Sequence, residues 1–178
     1  ELKGLLGTLR WHEAPEFLRH LPQGERPVWL GEPSASAEHL PGPRSPTAAS
    51  AYVKIADGCS APCAFCTIPR IKGPYRSRPE PAILEEVRGL VEAGVREIVL
   101  IAQDTTAYGL DRGERDALPR LLERLLEAVP ALPWLRLMYA YPGRVSEDLI
   151  RLMAERPQIL HYLDIPLQHA HPDVLRRM

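Results

Sequence analysis

The sequence predicts an α/β fold: a parallel sheet with outer helices that forms part of a (β/α) barrel of the TIM type. Two observations predict it. From Ala51 onward, apolar runs of strand length alternate with segments of helical periodicity, and polar, chemistry-bearing residues follow each predicted strand. Because alternating strands and helices give parallel neighbours, these loops gather at one edge of the sheet, where such barrels place their active sites.

Four apolar runs are predicted to be strands, namely 51–56, 96–102, 134–140 and 159–165. Three helices are predicted between them, and a fourth begins after the last strand. In the first, over 78–94, apolar side chains recur at helical spacing and Gly94 ends the pattern. The second, over 117–129, places six apolar residues on one face: Leu118, Leu121, Leu122, Leu125, Leu126 and Val129.

The third helix, over 146–155, begins at Ser146. Serine is a favoured N-cap, and Glu147 and Asp148 follow it in the first turn, where carboxylates meet the positive end of the helix dipole. The last helix begins at Pro172. The chain therefore repeats a strand-helix unit four times.

The residues before this repeat differ in composition. Residues 1–30 carry apolar clusters but are too few to form a core alone, and we interpret them as the tail of an upstream domain. Residues 31–50 are rich in Pro, Ala and Ser, which is the composition of a linker. Residues 51–178 form the predicted main domain.

Charge and hydropathy exclude some functions. The chain has 22 Lys and Arg against 23 Asp and Glu, a formal net charge of −1, so its overall charge does not indicate a nucleic-acid coat or a membrane surface. It has no apolar run of about 18 residues and no leader pattern. We therefore expect a cytoplasmic protein without a membrane partner.

All three cysteines of the chain lie in GCSAPCAFCTIPR: Cys59, Cys63 and Cys66, spaced C-x3-C-x2-C. Such closely spaced thiols in the cytosol are more often metal ligands or redox groups than structural disulfides. Three thiolates can hold a [4Fe-4S] cluster and leave one iron open for a small molecule. A Cys3His zinc site with His169 or His171, or a disulfide with one spare thiol, is the alternative.

With Phe65 before the last cysteine and a strand before the first, this motif resembles the signature of the radical S-adenosylmethionine enzymes. The resemblance implies that the three cysteines hold a [4Fe-4S] cluster and that S-adenosylmethionine chelates the fourth iron. One electron then cleaves the sulfonium to a 5′-deoxyadenosyl radical, and the protein's part is placement and exclusion of water.

Four stretches resemble the methylthiotransferases of that class: YVKIADGCSAPCAFCTIPRIKGPYRSRP, LIAQDTTAYGLD, YAYPGRVSEDLI and YLDIPLQHAHPDVLRRM. The second and fourth are similar to the RimO type, which adds a methylthio group to the β-carbon of an aspartate in a small-subunit ribosomal protein. The chain is thus predicted to be a transferase with that protein as substrate. A tRNA adenosine methylthiotransferase, with an RNA contact, is the first alternative, and a non-catalytic zinc-binding module is the second.

Position and resemblance together predict further cofactor-binding residues. Gln103, Asp104 and Thr105 follow the second strand and would meet the methionine amine, although Asp and Thr also cap loops. Gln168 and His169 follow the fourth strand and would meet the ribose. From the basic segment RIKGPYRSR, Arg78 is predicted to face the site, because arginine binds carboxylates well; a solvated face or an RNA contact is the alternative.

The resemblance also implies parts outside these motifs. Methylthiotransferases carry an upstream domain whose three further cysteines bind a second [4Fe-4S] cluster, and they complete the barrel beyond the fourth strand. Residues 4–18 resemble the end of that upstream domain. We therefore expect an internal fragment with an incomplete radical domain. By itself it should be inactive for full thiolation, and it depends on a reducing electron donor.

Overall fold

The computed structural model describes residues 2–24, 26–31 and 48–178. The chain divides into two compact units, Glu1–Leu40 and Pro41–Met178. Most of the predicted linker over 31–50 lies outside the described residues, so its assignment stays a prediction. None of the helices in the described ranges has the length and hydropathy that crossing a bilayer requires.

The first unit is small. Strand β1 (Leu5–Leu6) pairs in parallel with β2 (Val28–Trp29), and helix α1 (Ala14–His20) lies between them in the chain. Phe17 of α1 is buried and meets Trp29 edge to face, with ring centroids 5.4 Å apart. Such an aromatic pair stabilises beyond its buried area, and it joins the helix to the strand pair.

The second unit contains a four-stranded sheet in the order β3 (Ser50–Lys54), β6 (Glu97–Ile101), β7 (Trp134–Leu137) and β8 (Ile159–Leu163). Every neighbouring pair is parallel, which confirms the predicted topology. These four strands do not close a barrel. A separate antiparallel pair, β4 (Ala56–Asp57) and β5 (Arg76–Ser77), joins the two ends of the cysteine segment.

All four predicted strands extend beyond the strands observed, and for two of them the structure shows why. The run 51–56 is divided, because Ala56 leaves the sheet to pair with Ser77 of β5. The run 134–140 ends at Leu137, and Tyr139 adopts a left-handed conformation with φ of 61°. A left-handed residue cannot continue a strand, so β7 stops where the third loop begins.

The predicted helices are confirmed as α3 (Glu80–Glu92), α4 (Ala117–Ala128), α5 (Glu147–Glu155) and α6 (Pro172–Arg177). Ser146 caps α5, since its Oγ accepts a hydrogen bond from the amide of Leu149 at 3.2 Å. A short helix after the cysteines, α2 (Ile68–Lys72), was not predicted. Its five residues are too few to produce a periodic pattern.

The core forms where one face of the helices covers one face of the sheet. Leu121, Leu122 and Leu125 of α4 are fully buried, as are Ile98 and Leu100 of β6. Burying a side chain of this size contributes about 1.5–3 kcal/mol. Because the four strands are parallel, their carboxyl ends all lie at one edge of the sheet.

Candidate active site

The cysteine segment begins at a position that only glycine fits. Gly58 has φ of 73°, and a Cβ added there would lie 2.1 Å from the carbonyl oxygen of Pro74. The next residue, Cys59, donates its amide to the carbonyl of Gly73 at 3.1 Å, and Tyr75 donates its amide to Ser60 Oγ at 3.0 Å. The segment therefore returns tightly onto its own start.

Cys59, Cys63 and Cys66 are free thiols, and all three are half-buried. The amide of Ala61 donates to Cys59 Sγ at 3.4 Å, and the amide of Cys66 donates to the Cys63 carbonyl at 3.1 Å. In the described part of the chain, no three His, Cys, Asp or Glu side chains converge on a point that one metal ion could occupy. In a [4Fe-4S] cluster, each thiolate binds a different iron.

The loop after β6 is fastened to the end of β7. It forms a 3-10 turn at Thr105–Ala107. Thr105 is completely buried; its amide donates to the Tyr139 carbonyl at 3.0 Å, and its Oγ1 donates to the Met138 carbonyl at 2.9 Å. Thr105 thus holds two loops together, which is a structural role beside its predicted cofactor contact.

Asp104 is buried at the centre of this arrangement, with 6% of its surface exposed. One carboxylate oxygen accepts from Thr106 Oγ1, and the other pairs with Arg144 Nη1. The Arg144 guanidinium also lies over the ring of Tyr141, 4.9 Å from its centroid. Asp104 therefore already binds a cation from the third loop.

Tyrosine hydroxyl groups join the loop after β6 to the cysteine segment and the strand that follows it. Tyr75 donates to the Asp104 carbonyl at 2.9 Å, and Tyr108 donates to the Arg78 carbonyl at 3.0 Å. Burial raises the pKa of both phenols above the ordinary tyrosine value. In addition, Ser77 receives a hydrogen bond from the Gly109 amide at 2.8 Å and donates its own amide to Asp111 at 2.9 Å.

Arg78 lies in the interior. Its Nη1 donates to Glu86 Oε2 and to the Lys54 carbonyl, each at 2.6 Å, and both charged side chains are more than nine-tenths buried. The ion pair ties the end of β3 to helix α3, a structural role. The predicted contact between Arg78 and the cofactor remains a prediction.

The other predicted residues are exposed. Phe65 is 56% exposed, and Gln103, Gln168 and His169 also face solvent. Gln168 has φ of 62°, and His169 Nδ1 accepts from the amide of His171 at 2.9 Å. Their exposure at the ends of strands leaves them accessible to a ligand. In the described ranges, hydrogen bonds do not join their side chains to Asp104, Thr106 and Arg144, which we call the Asp104 cluster.

Several residues of this edge were missed by sequence reasoning. Tyr75 and Asp111 were not singled out, and neither was Asp164, which receives hydrogen bonds from the amides of Tyr139 at 3.2 Å and Ala140 at 2.9 Å. Their position after predicted strands, or beside the cysteines, was the available signal. As a result, each loop at the carboxyl edge is hydrogen-bonded to its neighbour.

Known proteins are similar in sequence to the part of the chain that carries these loops. Residues 53–178 match the family described as the Radical SAM superfamily. The ribosomal protein uS12 methylthiotransferase RimO of Chloroflexus aurantiacus is 60% identical over 129 residues, which are 72% of this chain and 28% of that protein. RimO of Moorella thermoacetica is 47% identical over 178 residues, covering 100% of this chain and 41% of that protein.

The chain thus spans less than half the length of these curated relatives. Among solved structures, the radical S-adenosylmethionine methyltransferase TsrM from Kitasatospora setae superposes with a TM-score of 0.55 at 21% identity, over 70% of this chain and 23% of that one. This likeness confirms the fold. From the match over residues 53–178 and the shared architecture, we conclude that the chain belongs to the radical SAM superfamily.

Proposed function

We propose that the chain is the central part of a methylthiotransferase that modifies the β-carbon of an aspartate in ribosomal protein uS12. The observation that carries this is the loop after the first strand, with three free, half-buried thiols at the carboxyl edge of the sheet. Relatives named ribosomal protein uS12 methylthiotransferase RimO, up to 60% identical, support the substrate. A cytoplasmic location follows from a ribosomal substrate.

The donor set fits a [4Fe-4S] cluster. Thiolates are the ligands of such clusters, and Cys59, Cys63 and Cys66 are in no disulfide. The Ala61 amide, 3.4 Å from Cys59 Sγ, would stabilise the charge of that thiolate. When bound, the cluster and S-adenosylmethionine supply an electron, a 5′-deoxyadenosyl radical and the methyl group.

The chain's own residues would position the reactants and exclude water. The tight return after Gly58 holds Cys59, and Tyr75 ties that return to the loop of Asp104. Each carboxylate oxygen of Asp104 accepts one hydrogen bond from Thr106 or Arg144 and has a second lone pair, so Asp104 can accept from an ammonium group while it keeps its pair with Arg144. Gln103, Gln168 and His169 are exposed and can meet hydroxyl groups of a nucleoside.

The proposal includes two further components. One is a second [4Fe-4S] cluster held by cysteines outside this segment, and the other is a separate electron donor. Transfer of a methylthio group needs a sulfur source that three cysteines holding one cluster do not provide. The RNA-modifying alternative draws no support from the RimO names of the relatives, and it is an outcome of the substrate test below.

The first experiment measures iron and sulfide after anaerobic reconstitution, with electron paramagnetic resonance of the reduced protein before and after S-adenosylmethionine is added. We expect about four irons per chain and a spectrum that changes with the cofactor. His169→Ala and His171→Ala are the controls, because each removes one candidate fourth ligand of a zinc site and leaves the cysteines intact. One tightly held zinc in place of the iron would contradict the proposal, and its loss in either variant would identify the fourth ligand.

The second experiment incubates the full-length protein, with its cofactors, with uS12 and separately with tRNA. Mass spectrometry should find a methylthio group on an aspartate of uS12. Modification of the RNA alone would refute the assigned substrate while leaving the cluster assignment intact.

A further inference from the structure

A cavity of about 270 Å³ adjoins the Asp104 cluster at the carboxyl edge of the sheet. It lies between the loop after β6 and the loop after β7. Its apolar wall includes Leu118 and Leu149, and its polar wall includes Arg115, Asp116, Arg144 and Ser146. Pockets for drug-sized ligands usually measure about 300–1,000 Å³. This cavity lies just below that range, so it can hold a small group such as a single amino-acid side chain.

Arg144 has hydrogen-bonding capacity to spare at this cavity. A guanidinium carries five N–H donors. In the described part of the chain, the Arg144 guanidinium donates only through Nη1, to Asp104. The side chain is 37% exposed, so the remaining donors are accessible to a ligand.

The orientation of the Arg144 guanidinium is fixed before any ligand arrives. Tyr141 stacks against one face of it at 4.9 Å, and Asp104 holds one edge. The free edge then presents the planar fork that matches a carboxylate. Arg115 adds a second positive charge to the same wall, which offsets the negative charges of Asp104 and Asp116.

We propose that this cavity receives the acceptor aspartyl side chain of the polypeptide substrate and that Arg144 binds its carboxylate. The inference rests on the proposed function and adds a specificity-determining residue to it. The site would select a carboxylate over an amide, because a guanidinium can only donate and an amide NH₂ presents a second donor to it.

The test compares two synthetic peptides from uS12, one with the acceptor aspartate and one with asparagine in its place, by calorimetric titration of the full-length protein. A charge-assisted hydrogen bond predicts roughly tenfold tighter binding of the aspartate peptide. In Arg144→Gln, the two peptides should bind equally. In Arg144→Lys, which keeps the charge and loses the fork, part of the preference should remain.

Arg151→Gln is the matched control, because Arg151 also pairs with an aspartate, Asp148 at 3.0 Å, but lies outside the cavity. It should keep the full preference. Arg144→Gln leaves Asp104 without its cation, so the Asp104→Asn/Arg144→Gln double variant is measured beside it. This variant keeps the cluster neutral and should also bind both peptides equally.

An Arg144→Gln protein that still prefers the aspartate peptide by the wild-type factor would overturn the inference, as would a wild-type protein without that preference. Tighter binding of an adenosine-containing oligonucleotide that depends on Arg144 would also overturn it. The iron and resonance measurements do not involve this cavity, so failure of the proposed function is detected separately from failure of this site.

Discussion

The substitution Gly58→Ala tests whether the tight start of the cysteine loop is required for cluster binding. A Cβ at Gly58 would lie 2.1 Å from the Pro74 carbonyl oxygen and 2.7 Å from that of Gly73. Both are backbone atoms, so the return segment must move by about 0.9 Å to reach the 3.0 Å that real contacts respect. The left-handed conformation costs alanine about 1–2 kcal/mol, and overpacking adds about 1–3 kcal/mol.

Gly94→Ala is the matched control for Gly58→Ala. Gly94 also has a positive φ, 95°, but a Cβ there meets nothing within 4 Å. Gly94→Ala should lower the free energy of unfolding only by the cost of the left-handed conformation. The difference in that free energy between the two variants therefore measures the steric contact at Gly58, about 1–3 kcal/mol. In thermal unfolding this corresponds to a difference of roughly 4–10 °C for a domain of this size.

The assay for the Gly58 prediction combines thermal unfolding with iron content after anaerobic reconstitution. We expect Gly58→Ala to lose most of its iron and Gly94→Ala to keep the wild-type content, because only the first substitution displaces the loop that carries Cys59. If Gly58→Ala took up iron as Gly94→Ala does and unfolded at the same temperature, the close approach to Pro74 would have no functional importance.

Three further predictions concern the loops and one helix cap. Replacing Arg144 with Gln leaves the buried Asp104 carboxylate without its cation and should cost about 1.5–3 kcal/mol in urea unfolding, a loss that Asp104→Asn in the same chain should largely remove. Burial raises the pKa values of Tyr75 and Tyr108, so the stability that they contribute is present below about pH 10 and declines above it, where the unfolded chain releases their protons. Ultraviolet titration should count fewer phenolates in the folded protein than in the denatured one just above that pH. Ser146→Ala removes the cap of α5 and should cost about 1 kcal/mol, whereas Ser146→Asp should retain stability.

The network at the carboxyl edge explains why these loops act as one unit. Tyr75 connects the cysteine segment to the loop of Asp104, and Arg144 connects that loop to the one after β7. Asp164 then joins the third loop to the fourth strand. A substitution in any of them is expected to affect its neighbours, since mutations in one hydrogen-bond network are rarely additive.

The sequence predicted the elements whose signal is local. Hydrophobic periodicity located α3, α4, α5 and the four parallel strands, because burial on one face imposes that pattern. It did not predict helix α2, which is too short to show a period, nor the early end of β7, which depends on the conformation of Tyr139. The cysteines were identifiable because all three lie within eight residues.

By itself, then, the sequence determined the order of strands and helices, their parallel arrangement and the segment that carries the thiols. Only the tertiary structure decided how the polar residues pair. Asp104 and Arg144 are forty residues apart, yet they form an ion pair; Arg78, expected at the site, is buried against Glu86. Such pairings depend on which strands become neighbours and on the desolvation of each charge, and neither is encoded in a local pattern.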